Sequence, residues 1–457
     1  MTFPEGGRIH FIGIGGVGMS AIAKVLRERG YEISGSDVRR SPPVVTLEAM
    51  GARIDIGHWA ASVEGAALVV VSSAIKKNNP EVVHAGVLGV PVISRGEALA
   101  ALLDEHGRSI VVAGTHGKTT TTSMIVTILR HAGMDPTYLV GGGLNDAGTN
   151  ARYGKDAVVV AESDESDGSF LLLSPDVAVV TNVEPDHLDY WRSFEALLEG
   201  FETFLMRVRE GGSIVLPSGA TELTERALET GRNVLSFGDG GSMHVHDMKL
   251  DIEGADFMIV SDEQSEPVRL NVAGRHNVIN ALAAVAACTR IGMSLSRACT
   301  GLSQFKGVER RFQVRGSAAG VTVIDDYAHH PTEVRVNLEA ARLGTWDRVI
   351  AVFQPHLYSR TAALAHEFGA SFGDADRIIV TDVYGAREVP QPGVSGKLVA
   401  DAVCARLPGR PVAYIPHRGE LLSYLATSVR AGDLVLTLGA GDISAVGEEL
   451  LERLGTK

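Results

Sequence analysis

Residues 114–120 read Gly-Thr-His-Gly-Lys-Thr-Thr, between an apolar run at 109–113 and a helix-like segment at 121–130. A strand, a glycine loop with Lys-Thr and a helix, in that order, form a cradle for nucleotide phosphates. The backbone N–H groups and the helix N-terminus face an anion, Lys118 reaches the terminal phosphates, and the Thr119 hydroxyl is placed to ligate magnesium. The segment therefore predicts an ATP-type site on an α/β sheet.

The spacing of this loop departs from the usual G-x-x-x-x-G-K-[ST] pattern. The first glycine of that pattern would fall at Val112, so we expect Gly114 and Gly117 to make the turn. The alternative is an ordinary glycine turn between a strand and a helix.

Length and composition restrict the class of protein. A chain of 457 residues predicts about three domains, and 45% hydrophobic residues supply large cores. The net charge of −13 argues against a nucleic-acid binder. Three cysteines without metal-ligand spacing fit a reducing compartment, and no apolar run is long enough to span a membrane. We expect a soluble, cytoplasmic protein.

Short apolar runs alternate with helical segments from residue 8 to about 107, again from 110, and once more from 312. This rhythm predicts parallel sheets, whose ligands bind outside the carboxyl ends of the strands. The stretch from 212 to 270 contains β-like pieces and predicts an antiparallel portion.

A second glycine loop, Gly-Ile-Gly-Gly-Val-Gly at 13–18, follows the first strand, and Asp37 lies 19 positions beyond Gly18. This arrangement matches the dinucleotide pattern with its ribose-binding acid. Three interpretations stay open: a dinucleotide site, a site for another diphosphate such as a nucleotide sugar, or a structural turn. Because the chain already has an ATP-type loop, another diphosphate is favoured.

Acidic residues follow the apolar strand 157–161. Glu162 stands at the strand end, where a carboxylate is well placed for Mg²⁺. The run 163–167 beyond it is either part of that site or a solvated loop. His187, after the next strand, either points back at a metal or phosphate or belongs to a helix start.

A third polar segment, Gly-Arg-His-Asn at 274–277, precedes a helix. Asn277 and Asn280 lie three apart and offer amides suited to an adenine edge, or they cap the helix. Arg310 and Arg311 are either hinge charges or phosphate clamps.

Taken together, these motifs resemble the Mur ligase family of peptidoglycan synthesis across essentially the whole chain. The resemblance rests on nine segments in the family's order and spacing: Gly-Ile-Gly-Gly-Val-Gly-Met-Ser at 13–20, Gly-Ser-Asp at 35–37, Val-Ser-Ser-Ala at 71–74, Gly-Thr-His-Gly-Lys-Thr-Thr-Thr-Thr at 114–122, Glu-Ser-Asp-Glu-Ser-Asp at 162–167, Asp-His-Leu-Asp at 186–189, Gly-Arg-His-Asn at 274–277, Asp-Asp-Tyr-Ala-His-His-Pro-Thr-Glu at 325–333, and Phe-Gln-Pro-His at 353–356.

The resemblance implies an α/β protein of three domains: a Rossmann-like UDP-sugar domain at 1–107, a central ATPase-type domain at 108–311 that includes the antiparallel portion, and a Rossmann-like domain at 312–457 that closes over the active site. It implies an ATP-dependent amide ligase that joins L-alanine to UDP-N-acetylmuramate, with Mg²⁺ replaceable by Mn²⁺. The expected partners include no nucleic acid and no membrane, and the expected state is a monomer or weak homodimer.

The resemblance also assigns roles to residues. Substrate binding falls to Gly15, Gly16, Val17, Gly18, Asp37, His58, Ser73, Arg95, Tyr327, His330, His356 and Arg360. ATP binding falls to Gly114, Thr115, His116, Gly117, Lys118, Thr119, Thr120, His276, Asn277, Asn280, Arg310, Arg311 and Asp326. The metal ligands are Thr119, Glu162 and His187, and the catalytic residues are Lys118, Glu162, His187, Asp326 and His329.

Two departures qualify these assignments. Several sister ligases use a carbamylated lysine after the Asp-His segment, but residues 187–210 contain no lysine, so we expect none to be used. Related sequences commonly place Arg after Phe-Gln-Pro-His, where this chain has Leu357, so Arg360 becomes the candidate for that contact.

Three other functions remain open at this stage. A recycling ligase would attach a preformed peptide to the same sugar nucleotide. A nicotinamide-dependent oxidoreductase would use the loop at 13–18. A non-catalytic nucleotide-binding scaffold would keep the fold alone.

Overall fold

The computed structural model describes residues 2–145, 148–386 and 388–455. Within these ranges helices alternate with strands in three sheets, which confirms the predicted α/β class. The chain divides into two compact units, each described by itself below: residues 1–246, 258–268 and 279–305, and residues 247–257, 269–278 and 306–457. The boundaries at 107/108 and 311/312 stay a prediction.

The first sheet is parallel throughout, and the fully buried strand β1 lies at its centre. Its order is β3-β2-β1-β4-β5, with β1 Arg8–Ile12, β2 Glu32–Asp37, β3 Arg53–Ile56, β4 Ala66–Val71 and β5 Val92–Ser94. Its helices are α1 Val17–Glu28, α2 Pro42–Ala49, α3 Pro80–Leu88 and α4 Arg95–Asp104.

The second sheet places β6, the strand before the central glycine loop, between β10 and β9. Its order is β15-β14-β13-β12-β11-β10-β6-β9-β7-β8, with β6 Arg108–Ala113, β7 Thr137–Leu139, β8 Ala151–Arg152, β9 Val158–Glu162, β10 Val177–Val180, β11 Ser213–Pro217, β12 Asn233–Phe237, β13 Met243–Asp251, β14 Gly254–Ser261 and β15 Gln264–Leu270. The helices of this part of the chain are α5 Lys118–His131, α6 Leu188–Trp191, α7 Phe194–Met206, α8 Thr221–Glu229, α9 Arg275–Arg290 and α10 Leu295–Leu302.

The predicted antiparallel portion covers only part of the expected stretch. β11 and β12 continue the parallel arrangement. β13, β14 and β15 follow one another through two-residue connections, which only antiparallel neighbours can make. The antiparallel portion therefore begins at β13.

The third sheet lies in the second unit and is parallel except for its antiparallel edge strand β16. Its order is β16-β17-β21-β18-β19-β20, with β16 Gln313–Ala318, β17 Val321–Asp326, β18 Arg348–Phe353, β19 Arg377–Val380, β20 Val412–Tyr414 and β21 Asp433–Leu438. Its helices are α11 Pro331–Ala341, α12 Tyr358–Ser371, α13 Gly396–Arg406, α14 Arg418–Ser428 and α15 Ser444–Gly455.

Helix α5, which begins at the central glycine loop, packs closely against α10. Gly301 of α10 permits this approach, because a Cβ atom there would lie 3.0 Å from the Cα atom of Ile128. Among the described residues, no helix is both long and apolar enough to cross a membrane.

We predict that Gly301→Ala destabilises the protein by about 1–3 kcal/mol, because the added methyl group meets backbone rather than a movable side chain. Gly86→Ala is the matched control: Gly86 also lies inside a helix, α3, and a Cβ atom there would meet nothing within 4 Å. We expect the control to melt at or slightly above the wild-type temperature, since alanine favours helices. Equal melting temperatures for the two variants would contradict the packing argument.

Candidate active site

The central loop between β6 and α5 has the backbone that its glycines predict. Gly114 has φ +131° and Gly117 has φ +79°, which confirms that these two residues make the turn. A Cβ atom at Gly114 would collide with Thr181 Oγ1, and one at Gly117 with Asn280 Oδ1. The loop is also held from the neighbouring strand end, because His116 N donates to Asn182 Oδ1 at 2.9 Å.

The Lys118 ammonium group lies inside this loop. Its Nζ atom donates to the carbonyl oxygen of Gly114 at 2.5 Å and to that of Thr115 at 3.2 Å. It also donates to Glu165 Oε2 at 2.8 Å. The Glu165 side chain is 1% exposed and the Lys118 side chain 13%, so this ion pair is largely buried.

Burial and opposite charge act against each other on this pair. Burial alone would lower the pKa of Lys118, but the carboxylates of Glu165 and Asp164 raise it, so the ammonium form is stabilised. Burial raises the pKa of Glu165, and the like charge of Asp164 adds to that effect while Lys118 opposes it. The solvated-loop alternative for the acidic run is therefore wrong for Glu165.

Thr119 and Glu162 meet as the sequence predicts. The Thr119 hydroxyl donates to Glu162 Oε1 at 3.0 Å, and Gly141 N donates to Glu162 Oε2 at 2.6 Å. A hydroxyl and a carboxylate oxygen side by side at the end of the glycine loop are the hard oxygen ligands that Mg²⁺ prefers. Thr120, one residue further, is buried in the first turn of α5.

His187 lies in a second polar cluster of the same unit. Its ligand atom and one each from Asp164 and Glu165 all lie within 4.8 Å of one another. His187 has φ +54° and immediately precedes the short helix α6. The sequence leaves the run 163–167 open as part of the metal site or as a solvated loop, and the structure places Asp164 and Glu165 of that run beside His187.

The residues predicted to bind adenine stand at the start of α9. Asn280 lies against Gly117 of the phosphate loop. Asn277 Nδ2 donates to the carbonyl oxygen of Ala273 at 2.7 Å, and His276 lies beneath Gly274. Burial lowers the pKa of His276 to about 4, so its imidazole is neutral at pH 7.

The first glycine loop is closed by the acid that the dinucleotide pattern assigns to ribose. Gly15 N donates to Asp37 Oδ2 at 2.8 Å, and a Cβ atom at Gly15 would lie 2.9 Å from that oxygen. Gly16 ends the loop as the N-cap of α1, and Val17 is exposed as its first residue. This bond fixes the Asp37 carboxylate beside the loop and is compatible with either diphosphate interpretation.

Arg95 connects this loop to the acidic run of the central sheet. Its guanidinium lies 3.1 Å from the position of a Cβ atom at Gly18. It donates to Asp167 Oδ2 at 2.9 Å and to Ser169 Oγ at 3.0 Å. These contacts place Arg95 between the first glycine loop and residues 162–169, within one unit.

His58 and Ser73 stand at the carboxyl edge of the first sheet. His58 follows β3, and its Nδ1 atom lies 2.8 Å from Glu81 Oε2. Ser73 follows β4 and is exposed. The structure thus places four predicted substrate residues, Asp37, His58, Ser73 and Arg95, after or at the ends of successive strands of this sheet.

In the second unit, both carboxylate oxygens of Asp326 accept hydrogen bonds from neighbouring residues. Its Oδ2 atom accepts from Phe312 N at 2.6 Å, and its Oδ1 atom accepts from Ala328 N at 2.7 Å and Asn337 Nδ2 at 3.0 Å. Burial raises the pKa of Asp326 to about 7, while Arg311 opposes that shift. The side chain therefore braces the end of β17, and its predicted catalytic role stays a prediction.

The two histidines that follow differ in their contacts. His330 is the N-cap of α11, and its Nδ1 atom accepts from Thr332 N at 3.3 Å. His329 Nδ1 contacts the carbonyl oxygen of Tyr327 at 2.9 Å, and burial lowers the pKa of His329 to about 3. His329 is thus a neutral base at pH 7.

Two arginines flank Tyr327. The guanidinium carbons of Arg310 and Arg311 lie 5.1 and 5.2 Å from the centre of its ring. Arg310 also donates to the buried Asp325 carboxylate at 3.1 Å and to the carbonyl oxygen of Gly439 at 2.6 Å. These bonds favour the hinge-charge interpretation for Arg310.

His356 and Arg360 lie near His329 in the same unit. The rings of His356 and His329 are 5.6 Å apart, and Tyr384 stacks on His356 at 6.0 Å. Arg360 Nη1 is 3.5 Å from His356 Nδ1. Arg360 therefore supplies a positive charge near His356, which Leu357, standing where related sequences place an arginine, cannot supply. Leu357 itself is nearly buried and has φ +67°.

Three family models match the chain in succession. They are described as the catalytic domain of the Mur ligase family at residues 8–106, the Mur ligase middle domain at 112–288, and the glutamate ligase domain of Mur ligases at 310–441.

Curated relatives match along nearly the whole length. The UDP-N-acetylmuramate–L-alanine ligase of Mycolicibacterium smegmatis is 46% identical, over 99% of this chain and 96% of the relative. The ligase of the same name from Rubrobacter xylanophilus is 48% identical, over 98% of this chain and 100% of the relative.

Solved structures agree with these matches. The UDP-N-acetylmuramate-alanine ligase MurC of Thermotoga maritima superposes with a TM-score of 0.83 at 30% identity, over 99% of this chain and 100% of that one. A murein peptide ligase from Psychrobacter arcticus reaches 0.74 at 26% identity, over 99% of each chain. The matched segments, the full-length relatives and the two glycine loops lead to one conclusion: the chain belongs to the Mur ligase family.

Proposed function

We propose that this chain joins L-alanine to the lactyl carboxylate of UDP-N-acetylmuramate with ATP, in the synthesis of peptidoglycan precursors. The proposal rests on relatives of that activity that are 44–48% identical over nearly the whole chain. The observation in the structure that supports it best is the Lys118–Thr119 pair at the start of α5, with Glu162 opposite.

The chemistry follows from charge. A carboxylate oxygen of the sugar attacks the γ-phosphorus of ATP, ADP leaves, and an acyl phosphate forms. The amine of L-alanine then attacks the acyl carbon, the C–O bond to phosphate breaks, and the amine proton leaves with the products. Both steps gather negative charge on oxygen atoms, so the site must supply fixed positive charge and N–H donors.

Lys118 and its loop meet that requirement. The ion pair with Glu165 keeps Lys118 charged and holds it within the loop before ATP arrives. The backbone N–H groups of the first turn of α5 and the positive end of its helix dipole both lie at the glycine loop, where an anion would bind. No covalent bond to the enzyme is needed.

Thr119 and Glu162 fit a magnesium ion, and His187 is the third ligand we propose. The Thr119 hydroxyl oxygen and Glu162 Oε1 lie 3.0 Å apart, and both carry lone pairs that can coordinate Mg²⁺. When bound, Mg²⁺ would neutralise phosphate charge. Mn²⁺ would substitute, since it prefers the same oxygen ligands.

The remaining assignments belong to the same proposal. The first sheet takes the UDP-sugar, with Arg95 and the loop at 13–18 on the diphosphate. Tyr327, His330, His356 and Arg360 serve the amino acid, and Asp326 and His329 are the catalytic residues of this unit. We place the protein in the cytoplasm, as a monomer or weak homodimer. A nicotinamide-dependent activity is disfavoured by the similarity of nearly the whole chain to UDP-N-acetylmuramate–L-alanine ligases.

An assay of phosphate release separates the two ligase activities. We expect release with ATP, UDP-N-acetylmuramate and L-alanine, and far less when a cell-wall tripeptide replaces L-alanine. A response to the tripeptide alone would assign the chain to the recycling activity, which a murein peptide ligase of similar fold represents. NADH binding with no response to either amine would support the oxidoreductase alternative.

We predict that Lys118→Ala lowers kcat by at least about a thousandfold, because a charge that stabilises the transferred phosphate is removed. Lys155→Ala, an exposed lysine of the same unit, is the control and should retain wild-type turnover. The melting temperature of each variant checks folding, since Lys118→Ala leaves Glu165 buried without its ammonium partner. Normal turnover in a folded Lys118→Ala protein would refute the phosphate role.

We predict that Thr119→Val raises the Mg²⁺ concentration for half-maximal phosphate release by at least about tenfold, because a metal ligand is lost. Thr127→Val is the matched control: its hydroxyl donates to Ser123 O at 2.9 Å in the same helix, away from the loop. We expect the control to keep the wild-type Mg²⁺ dependence. An unchanged Mg²⁺ requirement in Thr119→Val would exclude Thr119 as a ligand.

A further inference from the structure

A buried carboxylate lies in the first turn of α3, beside the first sheet, and it has no role in the proposed reaction. Glu81 of α3 is fully buried. Its Oε2 atom accepts from Ser36 Oγ at 2.6 Å and lies 2.8 Å from His58 Nδ1. Its Oε1 atom lies 3.4 Å from Nε2 of the buried His10. One carboxylate thus stands between two imidazoles.

This carboxylate is costly to keep if its only task is to attach α3 to the sheet. A buried ion pair is seldom more stabilising than well-packed apolar residues of similar volume. Burial raises the pKa of Glu81, but the bonds from His10, Ser36 and His58 outweigh burial and lower it. The carboxylate is ionised at neutral pH, so it can only accept hydrogen bonds from its neighbours.

His58 stands where a nucleoside base would lie. The strand order β3-β2-β1 brings the end of β3 next to Asp37 at the end of β2, and then to the glycine loop after β1. A nucleotide with its diphosphate on that loop runs outward across the strand ends. Trp59, 64% exposed, folds against Gly57 beside His58 and offers a stacking face.

We propose that Glu81 is a positioning residue: it holds the Nδ1–H bond of His58 inward, so that Nε2 faces the ligand as a hydrogen-bond acceptor for an N–H donor of a pyrimidine base. The carboxylate can only accept, so it fixes which nitrogen of His58 carries the proton. This inference rests on the proposed function, because it places the base of the UDP-sugar at His58.

The consequence is selection between pyrimidines. Uracil presents an N3–H donor on its pairing edge, whereas cytosine presents a lone pair on N3. An acceptor at His58 Nε2 pairs with the first and leaves two lone pairs facing each other with the second. A site built to pair with a donor rejects the analogue that lacks it.

The test measures the affinities of UDP and CDP by calorimetry for the full chain and three variants. We expect the wild type to prefer UDP, and Glu81→Gln to reduce the UDP/CDP preference by about tenfold, the factor that one hydrogen bond supplies. His58→Ala should give the same loss, and the double variant should lose no more than either single one. The KM for UDP-N-acetylmuramate should rise by the same factor at unchanged kcat.

The control is His10→Gln, which removes the other buried partner of Glu81 without touching His58. It changes a buried partner of the same carboxylate and should keep the wild-type UDP/CDP preference. Nitrogen-15 spectra of histidine-labelled wild-type protein, assigned with His58→Ala, give a readout that needs no Glu81 variant: we expect His58 to carry its proton on Nδ1.

Two results would overturn the inference while leaving the ligase proposal intact. One is a wild-type UDP/CDP preference in a folded Glu81→Gln protein, and the other is a His58 proton found on Nε2 alone. If instead the wild type bound neither nucleotide and released no phosphate with UDP-N-acetylmuramate, the proposed function itself would fail, and this inference with it.

Discussion

The buried ammonium group of Lys118 is the charge on which the arrangement of the central site depends. An ammonium removed from water needs an acceptor for each hydrogen, and here two loop carbonyls and the Glu165 carboxylate supply them. Gly114 can turn its carbonyl inward because its φ of +131° is open to glycine. The glycine loop, helix α5 and the acidic run after β9 therefore form one polar assembly.

The sequence predicts the parts of this assembly that are local. Gly114 and Gly117 can be identified because a strand-to-helix turn needs positive φ at specific positions, and Thr119 because it follows the loop lysine. Glu165 cannot be separated from Asp164 and Asp167 in the same way: all three are acidic residues in one run, and only the fold decides which of them is buried against Lys118. The α/β class follows from alternating strands and helices, whereas the exact start of the antiparallel portion depends on long-range pairing.

The first glycine loop illustrates how one motif serves different ligands. The pattern and its distant acid are equally compatible with a dinucleotide and a nucleotide sugar, because both place a diphosphate at a helix N-terminus. In this chain the Asp37 carboxylate bonds to the loop backbone at Gly15. Arg95 then brings a guanidinium beside Gly18, where a Cβ atom would lie 3.1 Å from its Nη1 atom. The motif by itself therefore does not choose between the two ligands.

The residues of the segment 325–333 also differ in their side-chain contacts. Asp325 pairs with Arg310, Asp326 accepts from the backbone on both of its oxygens, and His330 caps α11. These three contacts hold the end of β17 and the start of α11 in place. Tyr327 and His329 differ: both are partly exposed, and their rings contact each other at 5.4 Å. A resemblance in sequence assigns the whole segment to the active site. The structure adds that Asp325, Asp326 and His330 also brace the strand end and the helix start that carry Tyr327 and His329.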